Sequence, residues 1–496
     1  MRIMAPKIAI TALLAWTLAW ACADRAAASP WAEVGDNQLR GDIELLAASG
    51  AVDDISTHWP LPWNSLVETL GEESLSSEPL SVQDAARRVM ADARQGTAGG
   101  FSASLFADAT NQAATVYGFD GMGRGEGAAQ FSLGYNTTGF SSRISLGAFS
   151  PSLNSRDNKV MPEGTYFAST IGEGALVYAG YLDHWWGPGW ISSLSLSNNA
   201  RPMPQIGIER LDTSASSWPI LHWLGPWQAE FLVGMLDGPR MQRDTFYNGL
   251  RLTFHPLDGL EIGLARTEEF CGQGHPCSPL RDYFDFNNDP THVNRTNDQG
   301  LIDIKYSYRV GGVPVQSYLQ VMNEDSDPIS HSGSSHLFGT TVFLPTRRNP
   351  VRLTIEYTDS VATKDIFGFG DVMHGFAYNN GTYPDGMRYR DRSLGFSLDS
   401  DSRLLSLQGS WTDSAGRFYE LSLHHAVISN PNIQSFVSQG YNVVTTAPVI
   451  ANIGEARVSL PLSGMKLDLA ARLQDDQPRP DKGFAASIEA ALRVAL

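Results

Sequence analysis

Cysteine is scarce, with three in 496 residues. Cys22 lies in the N-terminal apolar stretch, which leaves Cys271 and Cys277 in the string Cys-Gly-Gln-Gly-His-Pro-Cys. So few cysteines exclude a multi-bridge disulfide scaffold and a four-cysteine metal module. The close pair reads as a disulfide formed in an oxidising compartment. Zinc is the rival reading, but no second Cys or His pair stands at ligand spacing. Positive charge is also short: 36 Lys and Arg face 53 Asp and Glu, a formal net charge of −17. That argues against nucleic acid as a partner and against polybasic attachment to a membrane surface. Long hydrophobic runs are missing beyond the N-terminus, where no segment reaches the ~20 apolar residues of a spanning helix. Mean hydropathy is −0.19. This excludes a helical membrane protein but not a membrane β-barrel, whose lipid-facing and lumen-facing residues alternate and cancel.

Catalytic and metal signatures are missing too. There is no Gly-x-Ser-x-Gly elbow, Walker loop or paired zinc motif, so no enzyme activity, cofactor or metal is expected. Asp285-Phe-Asn-Asn-Asp289 has the 1, 3, 5 spacing of a calcium loop, but Pro290 and Thr296 replace its glycine and glutamate. His424 and His425 are adjacent and face opposite sides of a strand, which makes a poor metal pair.

What is present begins with an export signal. Arg2 and Lys7 precede an apolar run from Ile8 to Ala21, and Ala26 and Ala28 stand at the spacing of a cleavage site, so residues 1–28 read as a signal peptide. Residues 29–98 read as a helical module. Leu39, Ile43, Leu46 and Ala47 share a face ahead of Gly50. Ser81 and Asp84 resemble a capping box for a helix bearing Val82, Ala85, Val89 and Met90. Trp59-Pro60-Leu61-Pro62-Trp63 lies between as a rigid connector.

From about Phe101 the period changes to 2 and stays there. Ile302, Ile304, Tyr306, Tyr308 and Val310 alternate with Asp303, Lys305, Ser307 and Arg309. Val351 to Thr358, Met465 to Gln474 and Ile488 to Leu496 repeat the pattern. A polar face this rich in charge, over many strands, predicts an outer-membrane barrel with a polar lumen across 99–496. Short turns at His255–Gly259, Thr346–Pro350 and Pro461–Gly464 contrast with long loops at Phe270–Gly300 and Phe367–Arg392, the asymmetry of such barrels. At ~9–11 residues per strand the length suits about 16 to 18 strands.

Tyr178-Ala-Gly-Tyr-Leu-Asp-His-Trp-Trp-Gly-Pro-Gly-Trp190, followed by Ser195-Leu-Ser-Asn-Asn-Ala-Arg-Pro202, resembles the Wzi family of capsule-assembly proteins. So do Gly386-Met-Arg-Tyr-Arg-Asp-Arg-Ser-Leu-Gly395 with Ser397, Asp399 and Asp401, the loop enclosing Cys271 and Cys277, and the start containing Leu39–Leu46 and Trp59-Pro60. The resemblance runs over nearly the whole mature chain. It implies an 18-stranded outer-membrane barrel with an N-terminal periplasmic helical bundle. It also implies a lectin-like role in tethering exported capsular polysaccharide, or a related exopolysaccharide, and brings no catalytic residues.

Candidate contacts are read with their structural alternatives. Trp185, Trp186 and Trp190 suit a sugar-stacking platform, an aromatic girdle or a wedge in the barrel interior. Asn198, Asn199 and Arg201 carry groups that bind hydroxyls and carboxylates, or that pair with lumenal acids. Arg388, Arg390 and Arg392 alternate with Tyr389 and Asp391, which in an extended segment puts the three arginines on one face, facing an anionic polymer or a lumenal charge ladder. Arg281 and Arg295 sit among aspartates and are weaker candidates. Expected partners are extracellular polysaccharide, outer-membrane lipid and the polysaccharide export machinery. A passive channel and a membrane-embedded hydrolase remain as other functions, the latter without a nominated carboxylate pair.

Overall fold

The computed structural model describes residues 29–72, 75–151, 159–172, 174–275, 277, 296–324, 333–344, 346, 350–429, 441–445, 447–478 and 483–496. The calcium-like Asp285–Asp289, with Arg281 and Arg295, lies outside them. Among the described residues eighteen long strands form the barrel. They are Gly100–Thr110 (β1), Gly125–Asn136 (β2), Phe140–Pro151 (β3), Tyr166–Ile171 (β4), Ala175–Gly180 (β5), Gln205–Arg210 (β6), Trp227–Leu236 (β7), Thr245–Leu257 (β8) and Leu260–Phe270 (β9). Asn297–Val310 (β10), Val313–Glu324 (β11), Ser334–Leu344 (β12), Val351–Thr363 (β13), Arg403–Thr412 (β14), Phe418–Ile428 (β15), Val449–Leu462 (β16), Met465–Gln474 (β17) and Ala485–Ala495 (β18) complete it. Each pairs antiparallel with the next, and β18 closes on β1 through Val494 opposite Leu105. Closure removes every free sheet edge, which a bilayer requires.

Alternation decides what each face meets. Ile302, Tyr306, Ile355, Leu407, Leu423 and Ile488 are exposed on the outer wall, while Asp303, Lys305, Glu356, Ser406, Ser422 and Glu489 are buried inside. No described helix is long and apolar enough to cross a membrane, so the strands carry the span. The two rims differ as the sequence predicts. Turns at 137–139, 258–259, 311–312, 413–417 and 463–464 lie at one rim, and the connections at 181–204 and 364–402 at the other. One longer turn at the short-turn rim, 211–226, exposes Trp218, Ile220 and Trp223, and the Trp223 ring meets Phe254 edge-on at 5.8 Å. These rings extend the interfacial aromatic band of the outer wall.

The N-terminal module contains Asn37–Ala48 (α1), Trp63–Glu72 (α2) and Leu80–Gly96 (α3). Asp36 caps α1 by accepting from the Gln38 and Leu39 amides. The expected capping box at Ser81 and Asp84 does not form: Pro79 holds the N-cap position of α3 without a side-chain bond, and Ser81 is buried one residue inside the helix. Val82, Ala85 and Val89 pack inward as expected.

The module does not hang below the barrel; α1 and the segment after it enter the lumen from the short-turn rim. Arg40, Asp42 and Glu44, on the polar side of α1, are as buried as Leu39 and Ile43. Lys305 of β10 donates to Glu44 at 2.9 Å, Asn37 donates to Glu420 of β15 at 3.2 and 3.1 Å, and Arg143 of β3 pairs with Glu33 at 2.8 Å. A polar helix face thus meets a polar wall, where Lys305 and Arg143 find carboxylates of the module. One cavity of about 960 Å³ remains between the module and the wall of β1–β3, β17 and β18.

Candidate functional site

From the long-loop rim the lumen is filled by two connections, 181–204 and 364–402. Trp186, Trp190, Leu194 and Leu196 join Tyr378, Met387, Tyr389, Leu394, Phe396 and Leu398 in one apolar core with wall residues such as Leu232, Tyr247 and Leu337. The centre of this plug is the turn Trp185–Ser192. Glu356 of β13 receives the backbone N–H groups of Trp190 at 2.6 Å, Ile191 at 3.1 Å and Ser192 at 2.8 Å, and the Tyr318 hydroxyl at 2.9 Å. Gln320 of β11 donates to the Trp186 carbonyl at 2.9 Å and accepts from the Leu194 amide at 2.8 Å. Gly187 is required here. Its φ is 137°, and a Cβ would stand 2.1 Å from Gln320 Nε2.

The module and this turn meet inside the barrel. Trp185 pairs with Trp59, and Trp186 with His58, in a two-residue antiparallel ladder. Arg40 donates to the Pro188 carbonyl at 3.0 Å and stacks on Trp190 at 4.4 Å, with Arg352 at 3.6 Å from the same ring. Burial lowers the Arg40 pKa to about 10, partly offset by Glu44, so the guanidinium stays charged at neutral pH. Glu230 of β7 ties the three parts together: it bonds His58 of the module at 3.1 Å, His184 of the loop at 2.9 Å and the Tyr178 hydroxyl at 2.6 Å. Burial lowers the His58 pKa. At His184 burial acts the same way, but Glu230 outweighs it and the pKa is raised. Glu230 thus favours the protonated form of His184.

The predicted residues all belong to this interior or its upper layer. Trp185 and Trp186 are 1% and 0% exposed, which selects the interior wedge among the three readings. Asn198 donates to the Phe119 carbonyl and Asn199 to the Ser393 carbonyl, both at 2.9 Å, and Arg201 pairs with Glu163. All three are buried and engaged within the protein. The arginine series is not one extended face. Arg388–Tyr389 pairs with Arg392–Ser393 across a turn formed by Arg390 and Asp391, whose φ angles are 51° and 61°. Two consecutive left-handed residues make a tight hairpin turn, and cross-strand partners share a face. Arg388 opposes Ser393 while Arg392 opposes Tyr389, so the two arginines point to opposite sides.

Their environments differ accordingly. Arg388 is 2% exposed, pairs with Asp399 at 3.0 Å and donates to the carbonyls of Tyr378 and Tyr441 at 2.9 and 3.0 Å. Burial disfavours its charge, but Asp399 more than compensates, and its pKa is raised. Arg392 donates to the Arg124 carbonyl at 2.7 Å and lies over Tyr117. Arg390, at the turn, pairs with Asp237 at 3.1 Å; its own side chain is 9% exposed and that of Asp237 40%. Tyr389 donates to Asp237 as well. Arg388→Gln is expected to cost ~3–5 kcal/mol, because it strands a buried carboxylate, and Arg390→Gln much less. Thermal midpoints of the two variants in detergent check this; equal midpoints would show that the Asp399 pair contributes nothing.

Cys271 and Cys277 are joined as expected, with Cα atoms 4.4 Å apart, and the Tyr383 hydroxyl donates to the Cys271 carbonyl at 3.0 Å. Sequence reasoning missed Glu356, Gln320, Glu230 and Arg40, which hold the plug, and Tyr441, whose half-exposed ring covers the Arg388 guanidinium at 4.4 Å. The inward polar positions of the strands were legible as lumenal, but nothing in a strand pattern says which loop atom each would meet.

Comparison with known proteins agrees with this architecture. The family model for the capsule assembly protein Wzi matches residues 97–473. A Klebsiella pneumoniae protein, described as an uncharacterized 55.8 kDa protein in the cps region, is 24% identical over 319 residues. That match covers 62% of this chain and 60% of the relative's length. Among solved structures, Wzi of Escherichia coli superposes with a TM-score of 0.79 at 19% identity, covering 93% of this chain and 98% of that one. It is described as a carbohydrate-binding outer-membrane β-barrel involved in group 1 capsule assembly. With the closed barrel and a family match over most of its length, this chain belongs to the Wzi family of capsule assembly proteins, and the outer membrane is its place.

Proposed function

We propose that this protein is a non-catalytic receptor that holds exported capsular or related polysaccharide at the cell surface. The observation that carries the reading is the filled lumen. Module and loops enter from opposite rims and meet through Glu356, Glu230 and the Trp59–Trp185 ladder, so protein and not a wide water-filled channel occupies the middle of the barrel. What the plug offers instead is a rigid face at the long-loop rim. The hairpin 388–393 lies there, with Arg390 for acidic groups and Tyr441 for the apolar side of a sugar ring. A long polymer would touch many such positions, so avidity offsets weak individual contacts. The E. coli relative described as carbohydrate-binding supports the same class of ligand. The buried candidates Trp185, Trp186, Asn198, Asn199, Arg201 and Arg388, with the half-buried Arg392, would act by holding this face in shape. The exposed side of α3, with Arg87 and Arg94, is left for export partners in the periplasm.

The test is to delete the gene and separate cell-bound from released polysaccharide by centrifugation. Total polymer is expected to stay constant and shift into the medium, and complementation by an Arg390→Gln, Tyr441→Ala double variant is expected to restore retention only in part. Unchanged fractions in the deletion strain would remove the tethering role.

A further inference from the structure

The lipid-facing wall is not uniform. Across β13–β16, residues Tyr357, Leu405, His425 and Asn452 form one outward row. Asp359 and Arg403 lie one row nearer the long-loop rim, and Ile355, Leu407, Leu423 and Gly454 one row below. Because residue 454 has no side chain, the wall there sinks into a trough of about 480 Å³, lined chiefly by Ile355, Leu405, Leu407, Leu423 and His425. A Cβ at 454 would find only Leu423 Cδ2, at 3.8 Å, so no neighbouring side chain fills the space.

A cation and an apolar finger stand at the rim above the trough. The Arg403 side chain is 44% exposed and meets Asp359 at 2.9 Å through Nε, which leaves the two terminal amino groups of the guanidinium to take a second anion. On the β12 side, residues 364–371 form a closed turn. Lys364 pairs with Asp371 at 3.0 Å across its base, and Asp365 accepts the amides of Phe367 and Phe369 at 2.7 and 3.2 Å. The turn leans on His336, which faces outward above Phe338 and meets the Ile366 carbonyl at 3.1 Å. Its tip leaves Phe367 69% and Phe369 91% exposed.

We propose that this trough and finger bind a phosphorylated, multiply acylated glycolipid of the outer leaflet, of the lipid A class. The trough is continuous with the membrane-facing band, so only a lipid of that leaflet reaches it. Its apolar floor and the phenyl rings take acyl chains, and Arg403 takes a headgroup phosphate by charge-assisted hydrogen bonds, with Lys364 on the β12 side of β13. Asp359 and Asp371 next to these cations keep the site from being a general sink for anions. The site rests on the outer-membrane placement and not on polymer binding.

Native mass spectrometry of the full chain in detergent, titrated with bisphosphorylated hexa-acyl lipid A or with phosphatidylglycerol, tests it. The wild type is expected to prefer lipid A. Arg403→Gln is expected to weaken that binding by about tenfold or more, through loss of a charged hydrogen-bond donor. Gly454→Leu should weaken it similarly, by filling the trough at a position of ordinary strand backbone. Both variants are expected to melt as the wild type does and to leave cellular polymer retention unchanged. Equal lipid A binding by wild type and Arg403→Gln, no lipid A binding at all, or equal binding of phosphatidylglycerol would overturn the proposal.

Discussion

Replacing Glu356 by alanine is expected to destabilise the protein by ~3–5 kcal/mol and to loosen the turn that fills the upper lumen. The carboxylate accepts three consecutive backbone amides, from Trp190, Ile191 and Ser192, together with the Tyr318 hydroxyl. All of these groups are buried, so water does not replace the acceptor at low cost. An unsatisfied buried donor costs about 1–3 kcal/mol, and such losses within one network do not simply add. Arg40 loses a counter-charge at the same time. Glu356→Gln keeps one carbonyl acceptor but turns an amino group towards amides that also donate, so about half the loss is expected. The check is the thermal midpoint in detergent, followed by near-ultraviolet circular dichroism of the buried tryptophans. A Glu356→Ala variant melting with the wild type would mean that apolar packing alone holds the turn.

Removing residues 29–97 is expected to raise conductance on the order of tenfold or more, because the part of the lumen the module fills becomes an aqueous channel and the long-loop plug loses its supports in the module. In the full chain the module leaves a cavity of about 960 Å³ beside β1–β3. Truncation removes α1 from the lumen, breaks the Trp59–Trp185 ladder and takes His58 from Glu230. Lys305 loses Glu44 but keeps Glu261 at 2.9 Å, and Arg143 and Lys466 lose Glu33 and Asp36. These wall charges then face water rather than a dry interior, so the barrel retains its assembly and its outer wall. Planar-bilayer recordings of the two forms, each checked for folding by heat-dependent gel mobility, decide the matter. A folded truncation with the conductance of the full chain would show that the long-loop plug closes the barrel unaided.

The barrel was legible because alternation is local: Ile302 to Val310 and Met465 to Gln474 show their two faces without reference to any other segment. Rim asymmetry was legible for a similar reason, since turn length is a property of the chain. The arginine series misled. A period of 2 places Arg388, Arg390 and Arg392 on one face only if the segment stays extended, and the left-handed pair Arg390–Asp391 folds it back. Neither residue is a glycine, so the sequence carries no turn signal there. The capping motif misled because Pro79 fixes the start of α3 before Ser81 can cap it.

The sequence by itself determined the strand pattern, the polar lumen, the apolar outer wall, the disulfide pair and the family. Tertiary structure alone decided that the polar face of α1 would be buried. A helix pattern records the polarity of Arg40 and Glu44 and not what lies across from them. Only the closed barrel supplies Lys305, Pro188 and Trp190 as their partners. The same holds for Trp185 and Trp186, apolar enough for a girdle, a sugar platform or a core. The wall's Gln320 and the module's Trp59 make them core. Periodicity fixes the face on which a residue lies, and the free energy of burying it depends on contacts hundreds of residues away in the chain.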